Sequence, residues 1–218
     1  MSDDYPPVEV KVWGDFALFC RPEAKVERVS YEVPTPSAAR GILEAIYWHK
    51  PMKWRVREIV VLNRVRHFSL LRNEVTQKAS AAGDGIFITD NRTQRHSLCL
   101  RNVAYVIQAD AWLPPGGDPT DVVKHRDQFR RRVRAGQCFH RPYLGCREFA
   151  ANFAEPDGTE EPDPSLRGAR VELGRMLFDV DYGADTDGTQ NTPRFFDAVL
   201  ENGVLRVPPE LYEKGGTA

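Results

Sequence analysis

The stretch VEVKVWGDFALF opens with strict alternation: Val8, Val10 and Val12 on one side, Glu9 and Lys11 on the other. A period of two is that of a strand with one buried face. The pattern then changes in VPTPSAARGILEAIYWHK. Thr35 can accept backbone hydrogen bonds as an N-cap, Pro36 suits the first helical position, and Ala39, Ile42, Leu43 and Ile46 form an apolar stripe. The spacing predicts a helix from about Pro36 to Trp48, closed by Pro51. WRVREIVVLN reads as a strand with a continuous apolar run from Ile59 to Leu62, and RHFSLL as a short further strand. GDGIFITDNRTQRHSLCLRNVAYVIQADAWL reads as a strand, a turn at Asp90–Asn91 and one or two more strands. In GGDPTDVVKHRDQFRRRVRAG a second helix begins. Asp118 caps it, Pro119 leads, Asp121 complements the positive end, and Gly136 stops it.

The order β-α-β-β…β-α is most of the ferredoxin-like βαββαβ pattern, extended by a hairpin. FHRPYLGCREF is available for the last strand and a turn. AEPDGTEEPDPSLRG, acidic and rich in Pro and Gly, reads as an exposed linker. RVELGRMLFDVDY, PRFFDAVLENG and VLRVPP follow as strands, the last two joined by a tight Asn202–Gly203 turn. The expectation is an α+β protein: a ferredoxin-like body over residues 1–155, and a small acidic region with its own antiparallel β-sheet over 156–218.

Composition fits a globular chain, with 41% hydrophobic and 28% charged residues. No apolar run approaches the roughly 18 residues of a membrane span, and the opening MSDDYPPVEV is acidic, unlike a signal peptide; a cytoplasmic protein without membrane contact is expected. Cys20, Cys99, Cys138 and Cys146 form no C-x-x-C pair, so free thiols are expected and neither metal nor cofactor is implied. The net charge of −1 hides an asymmetry. Residues 1–155 carry 24 Lys and Arg against 18 Asp and Glu, whereas 156–218 carry 6 against 13. A basic body with an acidic tail region points to a polyanion partner for the body alone.

The second helix concentrates the charge. At about 100° per residue, Phe129 and Val133 fall within about 20° on either side of Val122 as its buried stripe, while Lys124 and Arg131 lie opposite. Arg126, Arg130, Arg132 and Arg134 complete the basic run, with Asp127 as the one acid inside it. Such a run is either a solvated helix face or a grip on a polyanion. His125 sits on the shoulder between core and solvent, where neighbouring cations would favour the neutral, proton-accepting imidazole. Tyr47 sits at the edge of the first helix's apolar stripe, as a core tyrosine or a chemical group. Arg40, Lys50, Lys53, Arg55, Arg57, Arg64, Arg66 and Arg72 crowd residues 40–72, interleaved with Trp48, His49 and Trp54. Basic and aromatic residues on such a sheet suit single-stranded or hairpin RNA, gripped by phosphate contacts and stacking; the tryptophans are equally core candidates. Duplex DNA on the same surface stays open.

Four ordered blocks carry a resemblance: YEVPTPSAARGILEAIYWH, RNEV, QRHSLCLRNVAYVIQADA and FRRRVRAGQCFHRPYLGCREF, continuing more weakly into GRMLFDVDY. Together they resemble the repeat-processing endoribonuclease of the subtype I-C (Dvulg) CRISPR system, a member of the repeat-associated superfamily built on a ferredoxin-like core. The resemblance implies metal-independent cutting of CRISPR precursor RNA near the base of each repeat hairpin. It implies retention on the 5′ handle of the mature guide RNA, beside the backbone and large subunits of the surveillance complex. It places Tyr47, Lys124 and His125 as the catalytic group and matches Gly136 to Gly145 to the superfamily's glycine-rich loop. Arg40, Lys53, Arg55, Arg72, Arg126, Arg130, Arg131, Arg132 and Arg134 are then the expected RNA contacts. A non-catalytic guide-RNA-binding subunit is the alternative, since the same fold serves that role in sister subtypes.

Overall fold

The computed structural model describes residues 6–24, 26–76, 86–116, 118–182 and 191–213. In chain order the elements are β1 (Val8–Ala17), β2 (Arg28–Val29), α1 (Pro36–Ile46), β3 (Lys53–Val61), β4 (His67–Val75), α2 (Ile88–Asn91), β5 (Arg92–Trp112), α3 (Pro119–Arg134), β6 (Asn152–Ala154), β7 (Arg170–Asp181), β8 (Thr192–Glu201), β9 (Val204–Arg206) and α4 (Glu210–Glu213). A 3-10 turn at Pro164–Leu166 precedes β7.

The strands make one sheet in the order β6-β1-β5-β3-β9-β8-β7, with β2 and β4 also pairing with β5. Every pairing is antiparallel except β2 on β5. β5 is the axis. Its first half pairs with β4, from Val75 opposite Arg92 to His67 opposite Leu100; its second half pairs with β3, from Val61 opposite Tyr105 to Lys53 opposite Trp112. At the handover Asn102 adopts a left-handed φ of 53°, and its carbonyl accepts a bond from the Asn63 amide at 2.9 Å. Asn tolerates that conformation better than other non-glycine residues.

Three sequence expectations are corrected here. Of the segment read as a strand, a turn and one or two more strands, residues 83–85 lie outside the described residues; the rest holds a single helical turn, α2, followed by the unbroken 21-residue β5. The polar residues Arg92–His96 at its start pair with β4 and are exposed or half-buried. FHRPYLGCREF holds only an isolated bridge, Tyr143 to Ala150; the strand that pairs with β1 is β6, opposite Lys11–Trp13. The C-terminal strands are antiparallel as expected, and their tight turn has Asn202 and Gly203 at φ of 52° and 77°. They do not form a sheet of their own. β3 has a free edge, and β9 pairs there with fully buried Leu205 opposite fully buried Ile59, which extends the same sheet.

Helices α1 and α3 cover one face. Val8, Val10 and Val12 of β1 point into this layer and are fully buried, as the alternation demands. From above, α1 contributes Ala39, Ile42, Leu43 and Ile46, and α3 contributes Phe129 and Val133. The first helix begins as read: the Thr35 hydroxyl accepts from the Ala38 N–H at 3.1 Å and Pro36 opens it. Between the helices Trp54 of β3 is buried, its ring 4.8 Å from that of Phe129. Truncating so large a core side chain costs about 3–5 kcal/mol. Trp54 is therefore packing, not a stacking platform.

Candidate active site

The site is built where α1 ends. The helix stops at Ile46, two residues before the predicted end, and Tyr47 leaves it in extended conformation with φ −144° and ψ 117°. The last carbonyls of a helix need partners, and here tertiary structure supplies them. The loop after α3 donates the Phe139 and His140 N–H groups to the Ala45 carbonyl at 2.8 and 3.1 Å. Arg132 of α3 donates to the Ile46 carbonyl at 3.0 Å and holds its guanidinium 5.3 Å above the Tyr47 ring. Trp54 donates its indole N–H to the Tyr47 carbonyl at 3.1 Å. Tyr47 is thus fixed from α3, from the following loop and from β3.

Within that frame the Tyr47 hydroxyl and His125 Nδ1 lie 2.8 Å apart, hydrogen-bonded across 78 positions of sequence. Tyr47 is buried and His125 half-buried. Burial pushes the Tyr47 phenol above its ordinary pKa, with Arg132 opposing, so the hydroxyl keeps its proton. Burial first, then the neighbouring His49 and Lys124, push the His125 imidazole below its ordinary value; Asp121 opposes. The direction matches the sequence reading. The leading cause is desolvation, not the cationic run. A neutral imidazole steadied by a phenol is a proton acceptor ready near neutral pH. Lys124 stands apart from this pair. Its ammonium is exposed and ion-paired with Asp121 at 2.7 Å.

The cations expected to hold RNA divide in two. Lys53 and Arg131 are exposed, Arg131 bonded to Gln128 at 2.5 Å. Arg134 is exposed but paired with Glu155 through two bonds of 2.7 and 2.8 Å. The others turn inward. Arg40 pairs with Asp179 of β7 and with Glu44 at 3.5 Å. Arg72 pairs with Glu148. Arg126 is buried and donates to the Pro6 carbonyl, and Arg130 reaches the Pro7 carbonyl at 3.4 Å. Arg55 lies 4.2 Å over the Trp112 ring. Arg132 is the brace already described. These side chains tie elements together, a role that long cationic stems perform readily. Their partners are mostly carboxylates and carbonyls distant in sequence, which is why charge counting along the chain missed them. Lys50 and Arg141 are exposed.

The sequence reading named His49 and Trp48 only as aromatics interleaved with basic residues, and missed two arrangements they make. His49 places its ring 4.6 Å from that of His125. Because the chain is extended after Ile46, residues 47 and 49 fall on one side, a period-two relation hidden by drawing the helix to Trp48. Trp48 and Phe139 are both exposed, with ring centroids 6.2 Å apart. The Gly136–Gly145 stretch reaches from the end of α1, through Phe139 and His140 on the Ala45 carbonyl, to Leu18 just after β1, whose N–H donates to the Leu144 carbonyl at 3.0 Å. Gly145 has φ of 86°, and a Cβ there would overlap the Leu18 carbonyl. Among the described residues no three His, Cys, Asp or Glu side chains cluster as a metal would need.

The fold and site define an α+β protein with a hydrogen-bonded phenol–imidazole pair set among aromatic rings and surface cations. Residues 8–208 match the family model described as CRISPR-associated protein (Cas_Cas5), and the chain belongs to this Cas5d family. A relative from Thermus thermophilus, called CRISPR pre-crRNA endoribonuclease Cas5d, is 46% identical over 95% of this chain and 93% of its own. One of the same description from Mannheimia succiniciproducens is 43% identical over 95% and 97%. In fold the chain is similar to a crystal structure described as a CRISPR-associated protein, with a TM-score of 0.68 and 22% identity over 94% of this chain and 93% of that one. It is also similar to the protein SMU1763c from Streptococcus mutans, with a TM-score of 0.66 and 22% identity over the same shares.

Proposed function

We propose that this protein is a metal-independent endoribonuclease that cuts CRISPR precursor RNA within the repeat, at the base of its hairpin. It then stays on the 5′ handle of the guide RNA, with the backbone and large subunits of a subtype I-C complex as neighbours. The names of the two relatives support the activity class. The observation that carries the reading is the 2.8 Å contact between Tyr47 and His125, which joins a phenol at the end of α1 to an imidazole in the first turns of α3. The strand order β6-β1-β5-β3, with α1 and α3 as the crossovers, supports a ferredoxin-like core for residues 1–155.

RNA brings its own nucleophile, the 2′-OH. In this reading His125, neutral and held through Nδ1 by Tyr47, takes the 2′ proton at its remaining nitrogen. Tyr47 orients that ring. Lys124 exchanges Asp121 for the scissile phosphate and offsets the charge that grows on phosphorus. The products are a 2′,3′-cyclic phosphate and a 5′-OH. The test is end-labelled repeat hairpin RNA in EDTA, with the ends of any fragments identified. Cleavage at one site with those ends is expected, abolished by His125→Ala while RNA affinity stays within a few-fold. An intact hairpin would leave only guide-RNA binding.

A further inference from the structure

We propose that His49 is the second proton-transfer group of this site, giving a proton to the 5′ oxygen that leaves. The inference rests on the nuclease reading above. The reaction moves two protons, one off the 2′-OH and one onto O5′. His125 has one ring nitrogen to offer, because Nδ1 is bound to the Tyr47 hydroxyl at 2.8 Å. That nitrogen serves one proton at a time. The other candidates near it are poorly disposed for the second. The Tyr47 hydroxyl belongs to a buried residue and is already bonded to His125, and in the reading above the Lys124 ammonium is engaged by the phosphate as a charge partner. The His49 ring stands 4.6 Å from the His125 ring, tilted by 40°, on the solvent side. Rings this close leave no room for a phosphate between them, so the linkage would lie across their edges, with O2′ facing one imidazole and O5′ the other. The His49 carbonyl accepts from the Met52 N–H at 3.0 Å, so a turn fixes the backbone that presents the ring.

The step balances as follows. O2′ bonds to phosphorus as its proton passes to His125, and the P–O5′ bond breaks as the His49 imidazolium protonates O5′. The products are the cyclic phosphate and the 5′-OH. His125 is left protonated and His49 neutral, and exchange with water restores both.

The experiment compares two substrates: the repeat hairpin with an ordinary scissile linkage, and the same hairpin with sulfur in place of O5′, a leaving group that needs no proton. The expected result is that His49→Ala and His49→Gln slow cleavage of the oxygen substrate by ~10²-fold or more. On the sulfur substrate both should run within about threefold of wild type, while His125→Ala stays slow on both. His49 is exposed, so these variants should fold, and RNA binding measured alongside reports on positioning. Equal losses on both substrates, or a His49→Ala rate within about threefold of wild type on the oxygen substrate, would overturn the assignment. A wild-type protein that cuts neither substrate would instead refute the nuclease reading itself.

Discussion

Arg132→Gln separates bracing from gripping. Arg132 belongs to the basic run that the sequence offers as a phosphate grip, yet its guanidinium donates to the Ile46 carbonyl at 3.0 Å and covers the Tyr47 ring at 5.3 Å. A hydrogen bond from a charged donor contributes about 1.5–3 kcal/mol, and a partly exposed cation–π contact about 0.5–1 kcal/mol. Arg132 is half-buried, so the lower part of the sum applies, about 2 kcal/mol. For a domain of this size that lowers Tm by about 4–8 °C. Losing the brace should also slow single-turnover cleavage by about tenfold, since a misplacement worth 1.4 kcal/mol is one decade of rate. The salt dependence of RNA binding should be untouched. Arg131→Gln is the mirror image: an unchanged Tm, and a plot of log affinity against log salt shallower by about 0.7–0.9 for one lost phosphate contact. Thermal melts and binding titrations over a salt series decide it. Arg132→Gln with wild-type Tm and a slope shallower by one contact would refute the bracing argument.

Three further outcomes follow from other parts of the molecule. Gly145→Ala should lower Tm and abolish cleavage together, because φ of 86° costs an L-residue about 1–2 kcal/mol before the overlap with the Leu18 carbonyl is counted; an unshifted melt would contradict it. Gly41→Ala, in α1 with open space around the site of its Cβ, should raise stability by about 0.5–1 kcal/mol with cleavage unchanged, read by denaturant titration. The pH dependence of cleavage should have an acid limb centred below the ordinary imidazole value of 6.5. The depressed pKa keeps His125 unprotonated, and so able to accept, to lower pH. By linkage the unfolded chain takes up this proton first. His125's contribution to stability is therefore full above 6.5 and is lost as pH falls below that value. An acid limb half-maximal above 6.5 would refute the burial argument.

Local rules carried much of the fold. Thr35 and Pro36, Asp118, the alternation of β1 and the Asn202–Gly203 turn each act within a few residues, and each appears where the chain alone puts it. The misreadings are long-range. α1 ends at Ile46 because partners from residues 132, 139 and 140 satisfy its carbonyls, so no local stop signal marks the place. β9 reaches β3 across more than 140 residues, and nothing near either strand announces the pairing. At the site, Tyr47, Lys124 and His125 came from a resemblance, and the hydrogen bond between the first and last of these depends on the packing of two helices. The arginines misled for the same reason: a cation's partner is set by tertiary structure, and Asp179, Glu148 and the carbonyls of Pro6 and Pro7 lie far from the residues that reach them.

The borrowed cap on α1 also sets when activity can arise. During synthesis Tyr47 emerges long before His125, and the N–H groups that close its helix come later still, from residues 139 and 140. A ribosome-bound chain that stops short of them holds the phenol on a helix whose end is not yet closed. On the nuclease reading, the Tyr47–His125 pair is therefore complete only after the second crossover has cleared the exit tunnel and docked.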